Sequence, residues 1–174
     1  MSCCSRPRSR SERQRHAAGL LVALVLLAGT TARAAPDGEH GAYAIIVSPG
    51  VPVSDVTRSD VTRLLLGERR FWRSGLPVVV LLPPAGSPAR RFLLEHVFHM
   101  SEPSYRRHTL ELLYRGELDY APKVVDSLAE LFAFTASSPG AIAIIPATQT
   151  IPTAVRVLHV DGRAPGSPGY ALGY

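Results

Sequence analysis

The residues best suited to chemistry in this chain form one short segment, Gly86-Ser87-Pro88-Ala89-Arg90. Gly86 permits a sharp turn, Ser87 is a preferred helix N-cap, and Pro88 suits the first helical position. A helix N-terminus carries unpaired N–H groups and a partial positive charge, which favour a phosphate or a carboxylate. We therefore predict a site for a small oxyanion at this turn, over which the Arg90 side chain folds. Its residues are Gly86, Ser87, Ala89 and Arg90.

Two other kinds of chemistry fit the residues less well. His96 and His99 are three residues apart, with Glu95 and His108 nearby, whereas zinc-binding helices more often place histidines four apart. An ordinary polar helix face explains them better, so we predict no metal and no cofactor. Ser87 follows a strand as a hydrolase nucleophile does, but it lacks the glycines of G-x-S-x-G and no base or orienting partner is evident. The sequence therefore does not indicate an enzyme.

A basic and aromatic loop, Arg69-Arg70-Phe71-Trp72-Arg73, precedes the strongest apolar run of the chain. Such a loop could stack on a sugar or a base, or contact a partner protein. We favour a structural role, in which Phe71 and Trp72 cover the edge of a sheet and the arginines lie in solvent.

The N-terminal residues have the pattern of a secretory signal peptide. Several arginines precede an apolar run over residues 17–28, and Ala32-Arg33-Ala34 forms an A-x-A cleavage site. The run is too short for a good transmembrane helix, which needs about 20 apolar residues. We expect cleavage after Ala34, release into the periplasm and no stable membrane span in the mature protein.

Removal of residues 1–34 changes the charge of the chain. They hold six of the 19 Lys and Arg residues and one of the 14 Asp and Glu residues, so the remainder is formally neutral. The basic excess that would suggest nucleic-acid binding therefore belongs to the targeting segment, and we predict no nucleic-acid partner. Both cysteines, Cys3 and Cys4, are removed as well, which excludes disulfides and cysteine-ligated metals in the mature chain.

Strands and helices alternate through the rest of the chain. Residues 35–42 are polar and rich in Pro and Gly, which indicates a disordered leader. Apolar runs predict strands at residues 44–47, 77–82, 141–145 and 155–160, the last at an edge of the sheet. Caps and apolar spacing predict helices that start near Thr57, Ser87 and Ser127. Ser101-Glu102-Pro103 predicts the start of a fourth helix, with its body over residues 105–114. This alternation predicts an α/β domain with a mainly parallel sheet flanked by helices, and ligands in such sheets bind at the carboxyl ends of strands.

Several segments, taken in order over residues 43–174, together resemble the substrate-binding proteins of phosphate ABC transporters, and especially their short relatives. The matching segments are Ile45-Ile46-Val47-Ser48-Pro49, Leu64-Leu65-Leu66-Gly67, Trp72-Arg73-Ser74-Gly75-Leu76-Pro77-Val78, Gly86-Ser87-Pro88-Ala89-Arg90-Arg91-Phe92, Tyr114-Arg115-Gly116 with Pro122, Ser138-Pro139-Gly140-Ala141-Ile142 and Val157-Leu158-His159-Val160-Asp161-Gly162.

The resemblance implies a single lobe of the type II periplasmic-binding fold. Full-length relatives close two lobes over an oxyanion held by N–H groups, serines and an arginine. Ser87 matches the serine of that site, Pro83 stands where the relatives have the arginine, and Pro88 replaces a glycine and removes one N–H donor. The implied function is an exported solute-binding protein that binds phosphate or another small oxyanion weakly, with a transporter or envelope protein as its partner. The alternative is an accessory or protein-interaction module that kept the fold and lost the ligand.

Overall fold

The structure is a computed structural model in which residues 41–173 are described. The predicted signal peptide and residues 35–40 of the predicted leader lie outside the described residues. The strands are β1 (Tyr43–Val47), β2 (Asp55–Val56), β3 (Val79–Leu82), β4 (Lys123–Val124), β5 (Ala141–Pro146) and β6 (Arg156–Val160). The helices are α1 (Arg58–Leu65), α2 (Pro88–Phe92), a π-helical continuation of α2 (Leu93–Phe98), α3 (Glu102–Tyr114) and α4 (Leu128–Ser137).

The six strands form one sheet in the order β2-β6-β1-β5-β3-β4. This arrangement confirms the predicted α/β class. Three of the five strand pairings are parallel, but the central strand β1 runs antiparallel to both of its neighbours, β5 and β6. The apolar run of β1 is buried on both faces, as in a parallel strand, so its residue pattern does not reveal its direction.

The predicted position of the last strand at the sheet edge is wrong. β6 lies between β1 and β2. The edge strand is β2, which has only two residues, Asp55 and Val56. A strand this short has no periodicity that a sequence pattern can detect. β4 is equally short and covers the opposite edge of the sheet, next to β3.

Hydroxyl side chains cap the starts of the four helices. Thr57, Ser87, Ser101 and Ser127 each accept a hydrogen bond from the backbone N–H three residues later, at 3.0–3.3 Å. These contacts confirm the starts predicted from Thr57, Ser87 and Ser127. They also confirm the start signal Ser101-Glu102-Pro103, and the body of α3 begins at Glu102, three residues before the predicted Tyr105. A side-chain oxygen satisfies an N–H group that a helix start would otherwise leave unpaired.

The helix that follows Ser87 changes its winding after one turn. α2 continues as a π-helix from Leu93 to Phe98, and His99 ends it in the left-handed conformation with φ 52°. The predicted inward residues Phe92, Leu93 and Val97 are buried, so the apolar face was placed correctly although the winding was not.

The basic loop is held by the fold more firmly than predicted. Trp72 is buried, and its indole N–H donates to the Gly140 carbonyl at 3.0 Å. Phe71, expected to cover the sheet, is half exposed, and Arg69, expected in solvent, pairs with Asp60 at 2.9 Å. Of the two aromatic residues of the loop, Trp72 therefore joins the core and Phe71 does not.

Candidate functional site

The turn between β3 and α2 keeps the shape of an anion-binding turn, but its own chain uses most of its donors. The Ser87 N–H donates to the Pro84 carbonyl at 3.2 Å, and the Ser87 hydroxyl accepts from the Arg90 N–H at 3.2 Å. Pro88 has no N–H. The N–H of Ala89 is therefore the remaining backbone donor of the first helical turn.

A second helix N-terminus lies beside the first, which the sequence did not indicate. β4 pairs in parallel with β3, and the Val125 N–H donates to the Leu82 carbonyl at 3.0 Å. The carboxyl ends of these two strands therefore lie at the same edge of the sheet. α4 starts there from its cap Ser127, whose hydroxyl accepts from the Glu130 N–H at 3.2 Å. The sequence did not predict β4, because residues 117–123 have the pattern of an irregular link. Without β4, the position of α4 beside α2 could not be predicted.

A cavity of about 300 Å³ separates the two helix starts; we call it the Ser87 cavity. Ser87 and Ala89 line it from α2, and Asp126 and Ser127 line it from the start of α4, with Thr148 at its margin. Its remaining wall is apolar and includes Tyr43, Pro83, Pro84, Val125, Leu131 and Ile144. Ala42 also lines it, and the Ala42 carbonyl accepts from the Ala147 N–H at 2.8 Å, so ordered contacts begin just before the predicted start of the domain.

The Arg90 side chain does not fold over this cavity, contrary to the prediction. Its guanidinium makes two hydrogen bonds of 3.0 Å to the Glu102 carboxylate and stacks on the Tyr105 ring at 4.3 Å. The side chain is only 5% exposed. The hydrogen bond from Arg90, reinforced by its charge, holds the pKa of Glu102 below its ordinary value against the opposing effect of burial. Arg90 is therefore neutralised by Glu102 and does not line the Ser87 cavity.

The histidines considered for a metal are not arranged as ligands. The π-helix ends before His99, so His96 and His99 do not share a helical turn, and the His96 ring packs on Phe92 at 5.1 Å. Within residues 41–173 no group of three His, Cys, Asp or Glu side chains is placed to hold a metal ion. In the same range no helix is both long and apolar enough to cross a bilayer.

The fold defines a class: the chain has the fold of one lobe of a substrate-binding protein of the phosphate ABC transporter type. A Clostridium perfringens protein described as a phosphate ABC transporter substrate-binding protein, crystallised with bound phosphate, superposes with a TM-score of 0.57 at 20% identity. An ABC-type phosphate transport receptor from Vibrio cholerae gives 0.56 at 15%, and PstS from Borrelia burgdorferi gives 0.57 at 17%.

These matches cover 72% of this chain and 47%, 48% and 49% of the three structures, so the chain spans about half of their length. At such identities the likeness establishes the fold, and it confirms the resemblance inferred from the ordered sequence segments. No protein-family model and no curated protein matches the sequence.

Proposed function

We propose that this chain is an exported, solute-binding domain that binds phosphate or a similar small oxyanion weakly in the Ser87 cavity. One observation carries the proposal: two helix N-termini, capped by Ser87 and Ser127, face one cavity at the carboxyl ends of two parallel strands. Each N-terminus contributes a partial positive charge, so their fields add at the cavity. The structurally similar proteins that carry phosphate in their names support the choice of ligand.

Four features keep the expected affinity low. Pro88 removes a donor, and Arg90 is held by Glu102 and does not line the cavity. Asp126 places an exposed carboxylate at the cavity wall, where it repels an anion. An open cavity of one lobe also leaves the ligand in contact with water, which screens each remaining attraction. We therefore expect dissociation constants in the millimolar range and no catalytic activity.

Titration of residues 35–174 with phosphate and sulfate, followed by amide chemical shifts, tests the proposal. Saturable shifts should centre on Ala89 and Ser127. Thr148 is exposed at the cavity margin and caps no helix, so Thr148→Asp should weaken binding about tenfold by charge repulsion. Thr148→Asn has nearly the same shape and should leave binding unchanged. Two results would contradict the proposal: no saturable shifts at ligand concentrations up to about 50 mM, or equal phosphate binding by the two Thr148 variants.

Export is tested separately with the full-length chain. Expression in a Gram-negative host should yield a periplasmic protein whose N-terminal residue is Ala35. A variant with charges in the apolar run, Leu24→Arg with Leu27→Arg, should remain unprocessed in the cytoplasm. An unprocessed wild-type protein in the cytoplasmic fraction would contradict this part of the proposal.

A protein-interaction module is the second candidate, favoured by the surface of the basic loop. Phe71 is 49% exposed. The Arg73 side chain is 76% exposed and makes only a long contact of 4.0 Å with Asp60, whereas Arg69 pairs with the same carboxylate at 2.9 Å, so Phe71 and Arg73 are the more available to a partner. Affinity capture from a periplasmic extract, repeated with Phe71→Ala and Arg73→Ala combined, tests it. A specific partner should be lost with this variant and retained with Arg91→Ala, which changes an exposed arginine elsewhere. Equal capture by both variants argues against docking through the loop.

A further inference from the structure

A second cavity is lined by Arg90 and Glu102 and shares no residue with the Ser87 cavity, and nothing in the proposed function uses it. It has a volume of about 390 Å³, within the range of small-molecule sites. We call it the Arg90 cavity. Its walls come from the end of β3, from Arg90 of α2, from one face of α3 and from the segment Ala121–Val124.

One end of the Arg90 cavity carries an excess of positive charge. Glu102 receives both hydrogen bonds of Arg90, and the Arg106 Nε lies 3.6 Å from the same carboxylate. Two guanidinium groups therefore share one carboxylate. The Nη1 nitrogen of Arg90 is buried and has no hydrogen-bond partner among residues 41–173, and such a donor gains free energy from any acceptor that reaches it. Arg106 is 70% exposed, so its fork can turn toward a ligand.

The other end of the cavity is apolar and open to water. Leu110 is 53% exposed and Val124 is 51% exposed, and Leu113 and Pro122 complete this wall. Large apolar side chains this exposed are few in the described part of the chain, and two of them border the same cavity. Covering them would remove apolar surface from water, which is favourable.

We propose that the Arg90 cavity binds an amphipathic monoanion, a short aliphatic chain that ends in a carboxylate. The carboxylate lies against Arg106 and the Thr109 hydroxyl at the polar end, and the aliphatic chain covers Leu110 and Val124. A single excess positive charge matches one negative charge, and the apolar wall disfavours a small, fully hydrated oxyanion. This site shares no lining residue with the Ser87 cavity, so the two proposals stand or fall independently.

Titration of residues 35–174 with octanoate, followed by amide chemical shifts, tests the site. Saturable shifts should appear around Thr109 and Val124. Octan-1-ol has the same chain without the charge and should bind about tenfold more weakly, because it loses the charge-assisted hydrogen bonds. An alcohol that binds as tightly as the acid would overturn the proposed polar end, and a lack of saturable shifts with octanoate would overturn the site.

Two adjacent arginines of α3 provide matched variants. Arg106→Gln should weaken octanoate binding about fivefold by loss of a charged donor. Arg107→Gln removes the same charge from an exposed residue outside the cavity wall and should leave binding unchanged. Leu110→Ser should weaken octanoate about threefold through the loss of apolar contact. Equal effects of the two arginine variants would show that only bulk charge matters and would contradict the site. None of these variants should alter phosphate binding in the Ser87 cavity.

Discussion

The two strand-to-helix junctions of the Ser87 cavity share one local design. In each, a strand of a parallel pair ends, a short loop follows, and a serine caps the next helix. Both serine hydroxyls accept from the N–H three residues later, at 3.2 Å. Ser87 and Ser127 therefore both act as helix N-caps, at neighbouring positions along one edge of the sheet.

The first turns that follow these serines differ in charge and in donors. α2 begins with Pro88 and places Arg90 and Arg91 at its start, which opposes the helix dipole. α4 begins with Leu128 and places Glu130 in its first turn, which complements the dipole. The cation at the start of α2 is stabilised because Arg90 turns to α3, where it pairs with Glu102 and stacks on Tyr105. The arginine that made this junction resemble an anion site is thus a contact between helices.

The largest effect is expected from removal of the acid that holds Arg90. Glu102→Gln leaves a buried guanidinium without a counter-charge and should lower the free energy of unfolding by about 3 kcal/mol. Glu111→Gln removes an exposed carboxylate from the same helix and should change it by less than about 0.5 kcal/mol. Urea denaturation at pH 7 measures both. Similar stabilities for the two variants would mean that Arg90 does not depend on Glu102.

The same ion pair should make this difference depend on pH. Because the folded pKa of Glu102 is depressed below the ordinary value of 4.5, its contribution is present above that value and is lost as the pH falls through the folded pKa. The stability gap between wild type and Glu102→Gln should therefore stay constant from neutral pH down to the ordinary pKa and close below it. A gap that widens in acid would contradict the assigned protonation state.

The next effect compares the two caps directly. Ser87→Ala and Ser127→Ala each remove the acceptor of one N–H and should destabilise by about 1 kcal/mol. The loss should be larger at Ser87, because its hydrogen bond is partly buried whereas that of Ser127 is exposed. Ser→Thr at either position keeps a hydroxyl and should restore most of the stability. A larger loss at Ser127, measured from urea midpoints at an unchanged m-value, would reverse this ranking.

The sequence predicted the elements of this site better than their arrangement. Caps at Ser87 and Ser127 follow from local hydrogen-bonding chemistry, and the buried strands follow from continuous apolar runs. The pairing of β4 with β3 is set by tertiary contact alone, so the proximity of the two caps had no local signature. The partner of Arg90 lies twelve residues away across a π-helical segment, and no spacing rule relates such positions.

A smaller effect concerns the donor that Pro88 lacks. Pro88→Ala restores an N–H at the first helical position, next to that of Ala89, and should tighten phosphate binding about threefold. The same change should lower stability slightly, since the unfolded chain gains freedom. Phosphate titrations of the two proteins under one buffer condition provide the comparison. Unchanged or weaker binding by the variant would show that the start of α2 does not contact the anion.

The smallest effects separate the charges of the two first turns, and they should have opposite signs. Arg91→Gln removes a cation from the start of α2 and should stabilise the protein by about 0.3 kcal/mol, while Glu130→Gln removes an anion from the start of α4 and should destabilise it by about 0.5 kcal/mol. The exposed contact of Glu130 with Lys123, at 3.9 Å, adds little to this loss. Both changes in stability should become smaller in about 1 M salt, because the Debye length there is only about 3 Å and charge interactions are screened. If both substitutions changed the stability in the same direction, the interaction of these charges with the helix dipoles would not distinguish the two junctions. The start of α4 would then attract an anion no more strongly than the start of α2.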